Sequence, residues 1–146
     1  MQGVRHTGIY VRDLEGMISF YKNVFELKMV VRQIESGVFT DTIFNERKIE
    51  IDVCKLEFPN HTMIELIHFI AEEQLPNWQE KIYQCGKMHI AITVDSADAM
   101  YQKLKEAGCI LLSEPCNAPD GRARVFFARD VEGNYLELVE ELRNVG

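Results

Sequence analysis

Two histidines and two glutamates in this sequence could bind one divalent metal ion together. His6 and His89 each begin an apolar segment, and Glu65 and Glu137 each lie between two aliphatic residues. Side chains alternate along a strand, so each of these four is expected on the face opposite its aliphatic neighbours. A buried carboxylate without a partner is costly, and a cation held by two imidazoles and two carboxylates satisfies every member. The sequence therefore predicts a metal site.

The donor set indicates which metals would suit such a site. Mixed nitrogen and oxygen ligands favour Zn²⁺, Ni²⁺, Co²⁺, Mn²⁺ or Fe²⁺ over Ca²⁺. Four protein ligands on an octahedral ion leave two positions for water or for substrate oxygens. We therefore expect one divalent ion as a cofactor at a site that can do chemistry.

A single histidine or glutamate in a strand is more often hydrogen-bonded or solvated than a metal ligand. The metal interpretation depends on the same residue types recurring at matching places in two halves.

In the first half, His6–Val11 predicts a strand, and Asp13 can cap the helix that follows it. Three β-like stretches come next, at about 29–44, 48–56 and 62–69, and the first of them is expected to bend around Gly37.

The second half repeats this order. His89–Val94 predicts a strand, Ser96 can cap a helix, and Gly108 can end it. Further strands are expected at about 109–112, 124–128 and 135–140. The repeat predicts an α+β fold in which two βαβββ modules form a curved, half-open mixed sheet around a metal-binding cleft. We expect one domain over 1–146, with modules at about 1–70 and 88–146 and a linker at about 71–87.

Composition narrows the function. The net charge is −7, from 16 Lys and Arg against 23 Asp and Glu, which disfavours nucleic acid as a partner. No apolar run is long enough for a membrane span, and the N-terminus shows no apolar signal region. The cysteines are scattered and form no C-x-x-C pair, which predicts reduced thiols in a cytoplasmic protein. They are Cys54, Cys85, Cys109 and Cys116.

Several segments resemble the vicinal-oxygen-chelate superfamily, which includes glyoxalase I, methylmalonyl-CoA epimerase, extradiol dioxygenases and the fosfomycin and bleomycin resistance proteins. The segments are His6–Leu14 with Phe20-Tyr21, Met63–Leu66, Met88–Ala91 and Phe126–Leu138. The resemblance covers nearly the whole chain. It implies a metal chelated by two neighbouring oxygens of a small-molecule substrate, and a homodimer in which a site lies either within one chain or across the interface.

The resemblance also implies roles for the glutamates. Dioxygenases and fosfomycin-resistance enzymes of the superfamily use a His/His/Glu triad. The resemblance places that triad at His6, His89 and Glu137. A carboxylate at Glu65 is instead similar to glyoxalase I, in which the residue matching Glu137 is the expected base. Glu65 would share that catalytic role in the opposite stereochemical sense. The predicted function is therefore a metal-dependent lyase or isomerase of the glyoxalase I (lactoylglutathione lyase) type, acting on a thiol adduct or an acyl thioester.

Two alternatives stay open from the sequence. A methylmalonyl-CoA epimerase-like enzyme needs a second base, for which Glu50 is the candidate, although a solvent-facing Glu50 is the simpler interpretation. The segment Ala128–Val131 departs from the His-Pro-Lys-Ser-like segment of epimerases and counts against this alternative. A small-molecule (drug-sequestering) binding protein without catalysis is the other alternative. Members of that kind generally lack the metal ligands that are all present here.

Other side chains have simpler interpretations. Arg122 and Arg124 could bind a substrate carboxylate or phosphate, or could equally be surface charges. Three aromatic residues could line a pocket, but core packing explains each more simply. These are Tyr10, Phe39 and Trp78. His68 follows Glu65 by three positions, so it is expected on the opposite face of the strand.

Overall fold

The computed structural model describes residues 3–71 and 81–142. The chain divides into two compact units, Met1–Leu75 and Pro76–Gly146. Each unit contains one mixed β-sheet with a long helix packed against it. The predicted α+β class with two βαβββ modules is confirmed.

The first unit holds a four-stranded sheet in the order β1-β4-β3-β2. Strand β1 runs parallel to β4, and the other neighbours are antiparallel. The elements in chain order are β1 (Thr7–Tyr10), α1 (Leu14–Phe25), β2 (Lys28–Ser36), α2 (Val38–Phe44), β3 (Glu50–Glu57) and β4 (Met63–Phe69).

The second unit holds a five-stranded sheet, with β5-β9-β8-β6 in order and β7 paired to β8. Strand β5 runs parallel to β9, which is the arrangement that β1 and β4 have in the first unit. The elements are β5 (His89–Thr93), α3 (Ala97–Glu106), β6 (Ile110–Leu111), β7 (Cys116–Asn117), β8 (Ala123–Arg129) and β9 (Tyr135–Glu141).

Both predicted helix caps are confirmed. The Asp13 carboxylate accepts a hydrogen bond from the Gly16 backbone N–H at 3.0 Å, at the start of α1. The Ser96 hydroxyl accepts one from the Ala99 N–H at 3.2 Å, at the start of α3. Each cap satisfies an N–H that the first turn of a helix leaves without an intrahelical partner. The helix is thereby fixed directly after the first strand of its module.

One predicted strand is wrong in its second half. Strand β2 ends at Ser36, and the chain turns into helix α2 instead of continuing as a bent strand to Phe44. Gly37 has a φ of +93°, a conformation that a regular strand does not accommodate. The β-branched and aromatic residues of 38–44 favour a strand when read locally, but Gly37 turns the chain out of β2 and only Thr40 of the helix is buried. Phe44 of the short helix packs edge-on against Phe69, with the ring centroids 5.2 Å apart.

The apolar core of the first unit lies between α1 and the sheet. Met17 and Tyr21 of the helix and Leu66 of β4 have no exposed surface. Arg32 of β2 donates hydrogen bonds to Glu15 of α1 and to Asp52 of β3, which ties the helix to this face of the sheet. No helix in the described residues is long and apolar enough to cross a bilayer.

Candidate functional site

In the first unit, His6 and Glu65 form a close pair. His6 directly precedes β1, and its Nε2 lies 3.3 Å from Oε2 of Glu65 on β4. The parallel register places Gly8, two residues after the histidine, opposite Glu65. Both side chains are mostly buried, with 25% of His6 and 14% of Glu65 exposed.

The second unit contains the equivalent pair. His89 begins β5, and its Nε2 lies 3.0 Å from Oε2 of Glu137 on β9. Here Ala91, again two residues after the histidine, is opposite the glutamate. The two modules therefore place the imidazole and the carboxylate in the same strand register, although the sequences between them differ.

Each pair lies on the sheet face that its long helix leaves uncovered. The residues beside the glutamates face the helix and are almost fully buried; they are Ile64, Leu66, Leu136 and Leu138. In the second unit, the Tyr101 ring of α3 packs edge-on against the Phe126 ring, and the ring centroids are 5.5 Å apart. Phe126 therefore lies on the face of the sheet that the helix covers. Strand alternation then directs Glu65 and Glu137 to the opposite face, as the sequence predicts.

A third residue lies beside each pair and differs between the modules, a difference that the sequence patterns do not predict. On β3, Lys55 is directly opposite Glu65, and its Nζ lies 3.2 Å from Glu65 Oε2. On β8, the residue opposite Glu137 is Phe127, whose ring meets the His89 ring edge-on at 5.2 Å. Lys55 and Phe127 hold the same register position relative to their glutamates, and this equivalence becomes apparent only once the antiparallel pairing is known.

The side chains present have the chemistry of a metal ligand set. Each unit supplies one imidazole and one carboxylate, which are common ligands of first-row divalent ions. His6 Nδ1 is buried and has no hydrogen-bond partner among the described residues. Over residues 3–71 and 81–142, no group of three or more His, Cys, Asp and Glu side chains is placed close enough together to hold a metal ion.

Glu50, the candidate second base, lies on the other face of the first sheet. The register between β3 and β4 is regular from Ile51 to Glu57, and an odd number of positions separates Glu50 from Lys55. Its side chain is therefore directed away from Glu65 and is exposed. This placement disfavours the use of Glu50 as a base beside Glu65. His68 also lies on the face opposite Glu65, as predicted, and its Nδ1 is 3.1 Å from the Val11 carbonyl oxygen.

The two arginines considered as anion ligands lie apart from the histidine–glutamate pairs. Arg124 donates hydrogen bonds to Asp98 of α3 at 2.8 and 3.0 Å, and these bonds lower the pKa of that carboxyl group. It lies an odd number of positions from Phe127 and so faces the helix side of the sheet. Arg122 is exposed just before β8. Arg124 is thus a surface ion-pair residue on the face opposite Glu137.

Core packing is the wrong interpretation for two of the three aromatic residues. Tyr10 is 60% exposed and Phe39 is 69% exposed. Tyr10 lies on the same face of the sheet as His6, and its ring centroid is 5.8 Å from that of Phe69. Trp78 lies outside the described residues.

Comparison with known proteins identifies the family. The profile of the Glyoxalase/Bleomycin resistance protein/Dioxygenase superfamily matches residues 3–138. The chain belongs to this superfamily. Its resemblance to vicinal-oxygen-chelate proteins is thereby confirmed, and the two βαβββ modules are those of this family.

Superfamily members with curated names are distant relatives of the chain. A lactoylglutathione lyase from Neisseria meningitidis is 28% identical over 139 residues, covering 93% of this chain and 88% of that protein. A metallothiol transferase, FosB, from Bacillus licheniformis is 31% identical over 88 residues, covering 58% of this chain. Among solved structures, a glyoxalase family protein from Bacillus cereus has a TM-score of 0.88 at 23% identity, covering 98% of this chain and 96% of that one. Glyoxalase I from Zea mays has a TM-score of 0.67 at 21% identity.

Proposed function

We propose that the two histidine–glutamate pairs bind one divalent metal ion and that the protein is a metal-dependent lyase or isomerase of the glyoxalase I type. The observation that carries this proposal is the repeated register, in which His6–Glu65 and His89–Glu137 occupy equivalent positions of equivalent sheets. The similarity to lactoylglutathione lyases over most of the chain supports the same class. The metal would be Ni²⁺, Zn²⁺, Co²⁺, Mn²⁺ or Fe²⁺.

In this proposal the residues of the chain have distinct tasks. A bound divalent ion would polarise two neighbouring oxygens of a small substrate. The imidazoles of His6 and His89 would hold the ion as neutral ligands, and the glutamates would balance its charge. Glu137 would take the proton from the carbon beside the substrate carbonyl and return it to the neighbouring carbon. The substrate would be a thiol adduct or an acyl thioester.

The environment of Glu137 suits this task better than that of Glu65. One quarter of the Glu137 side chain is exposed, and the aromatic edge of Phe127 lies beside its histidine. Glu65 is less exposed and contacts both His6 and Lys55. A carboxylate that shuttles a proton must be free to leave its partners, so Glu137 is the proposed base.

Metal analysis tests the first half of the proposal. We expect the purified protein, after incubation with Zn²⁺ or Ni²⁺ and dialysis, to retain about one equivalent of metal per chain. Glu65→Gln and Glu137→Gln should each lower the retained metal, whereas Glu50→Gln, on the other face of the same sheet as Glu65, should not. Unchanged metal content in both of the first two variants would refute the proposed site.

Proton exchange tests the second half. The metal-loaded protein is incubated in D₂O with the hemithioacetal of methylglyoxal and glutathione, or with a CoA thioester, and deuterium beside the carbonyl is measured by NMR. We expect exchange with one of these substrates and its loss in Glu137→Gln. Metal binding without exchange on any of them would instead support the small-molecule binding protein.

A further inference from the structure

Lys55 adds a positive charge to one half of the candidate metal site. Its Nζ lies 3.2 Å from Oε2 of Glu65, and His6 Nε2 lies 3.3 Å from the same oxygen atom. Lys55 is directly opposite Glu65 in the β3–β4 ladder, so the backbone register keeps the two side chains together. Only 23% of the Lys55 side chain is exposed, which limits screening of its charge by solvent.

The second module has no cation at the corresponding position. Phe127 is opposite Glu137 in the β8–β9 ladder, and its ring contacts His89. The two halves of the proposed ligand set therefore carry different charges. His89 and Glu137 together contribute −1 with a neutral imidazole, whereas His6, Glu65 and Lys55 together contribute zero.

We propose that Lys55 sets the net charge of the loaded metal site, weakening metal binding and strengthening the binding of an anionic pair of substrate oxygens. This inference rests on the proposed function. Two carboxylates alone would neutralise a divalent ion, and the Lys55 ammonium raises the sum of the loaded site to +1. A site with this charge favours a ligand with negative charge on its chelating oxygens over a neutral one.

The positive charge of Lys55 also weakens the binding of the metal ion. A divalent ion that approaches Glu65 Oε2 meets an ammonium already in contact with that oxygen, and the two cations repel each other. Lys55 is thus a specificity-determining residue. It lowers the affinity of the site for the metal and raises the affinity of the loaded site for an anion. If Lys55 served only to hold the sheet together, its removal would change both affinities in the same direction.

Lys55→Met tests the inference, because it removes the charge and keeps an unbranched apolar side chain. Zn²⁺ affinity is measured by competition with a chelator, and the affinity of the Zn²⁺-loaded protein for oxalate is measured by calorimetry. We expect Zn²⁺ to bind about tenfold tighter and oxalate about tenfold weaker than in the wild type, the size that one nearby, partly screened charge produces. Lys55→Arg should restore both values toward the wild type.

The control is Lys22→Met, which makes the same substitution on the exposed side of α1, in the layer behind the sheet. It should leave both affinities unchanged. A purely structural role of Lys55 predicts that both affinities fall together, and this result would overturn the inference. If Lys55→Met binds Zn²⁺ and oxalate with the same affinities as the wild type, the inference is overturned while the proposed metal site stands. Absence of Zn²⁺ binding in the wild type would overturn the proposed function and the inference with it.

Discussion

The two modules share a backbone arrangement but surround it with different side chains. In both, the residue two positions after the histidine is paired with the glutamate across a parallel ladder. The imidazole–carboxylate distances are 3.3 Å in the first module and 3.0 Å in the second. The neighbour across the antiparallel ladder is Lys55 in the first module and Phe127 in the second.

This difference shows which properties the repeat conserves. Strand register follows from hydrogen bonding and from the buried aliphatic face, because a slip by one residue would move every side chain to the wrong side. The charge around each pair has no such constraint. The modules therefore keep one imidazole–carboxylate arrangement, while Lys55 contacts the carboxylate of the first module and Phe127 lies beside the histidine of the second.

The largest expected effect concerns the two glutamates themselves. With metal held at saturation, Glu137→Gln should lower the rate of proton exchange by about 10²–10⁴-fold, the usual contribution of a general base. Glu65→Gln should cost less under the same conditions, because Glu65 is engaged by His6 and Lys55. The rates are compared by NMR in D₂O. Equal losses in the two variants would mean that the modules are catalytically equivalent.

The next effect tests whether the modules depend on the same kind of core. Leu66 and Leu138, each next to a site glutamate, have no exposed surface. Leu66→Ala and Leu138→Ala should each reduce the free energy of unfolding by about 2–5 kcal/mol, measured by urea denaturation. Leu112→Ala, at a position that is 42% exposed, is the control and should cost much less. A small loss at only one of the two buried sites would show that the two cores are packed differently.

The smallest effect concerns the first turn of each long helix. Module one pairs the Asp13 cap with Gly16, whereas module two pairs Ser96 with Ala99. A Cβ at Gly16 would clash with Asp13 Oδ2, so the capping carboxylate would have to move. Gly16→Ala should therefore gain little stability, because loss of the cap, about 1 kcal/mol, offsets the higher helix propensity of alanine.

The double variant Asp13→Ser with Gly16→Ala reproduces the second module's arrangement in the first. It should be more stable than Gly16→Ala alone by up to about 1 kcal/mol, measured by thermal or urea unfolding. Its control is Asp13→Ser alone, which keeps a capping oxygen and the original glycine. If Gly16→Ala is itself stabilising by the full propensity difference, the contact between Asp13 and position 16 has no energetic consequence.

Much of the fold could be predicted from the sequence, for identifiable reasons. The helix beginning at Leu14 follows a capping aspartate and carries an apolar stripe, and both signals are local. Aliphatic residues on either side of a carboxylate predict the strand that contains Ile64–Leu66. The helix over Val38–Phe44 could not be found in this way, because its β-branched and aromatic residues favour a strand when read locally.

The sequence by itself determined that a histidine and a glutamate recur at matching places in the two halves, on strands whose other face is aliphatic. Hydrophobic alternation is sufficient for this, because it assigns each of the four side chains to the strand face opposite its aliphatic neighbours. Only the tertiary structure decided what lies beside each pair. Lys55 is ten residues from Glu65 in the sequence and has no local pattern that marks it. Its contact exists because β3 and β4 meet in one antiparallel register, and that register depends on the packing of the whole sheet.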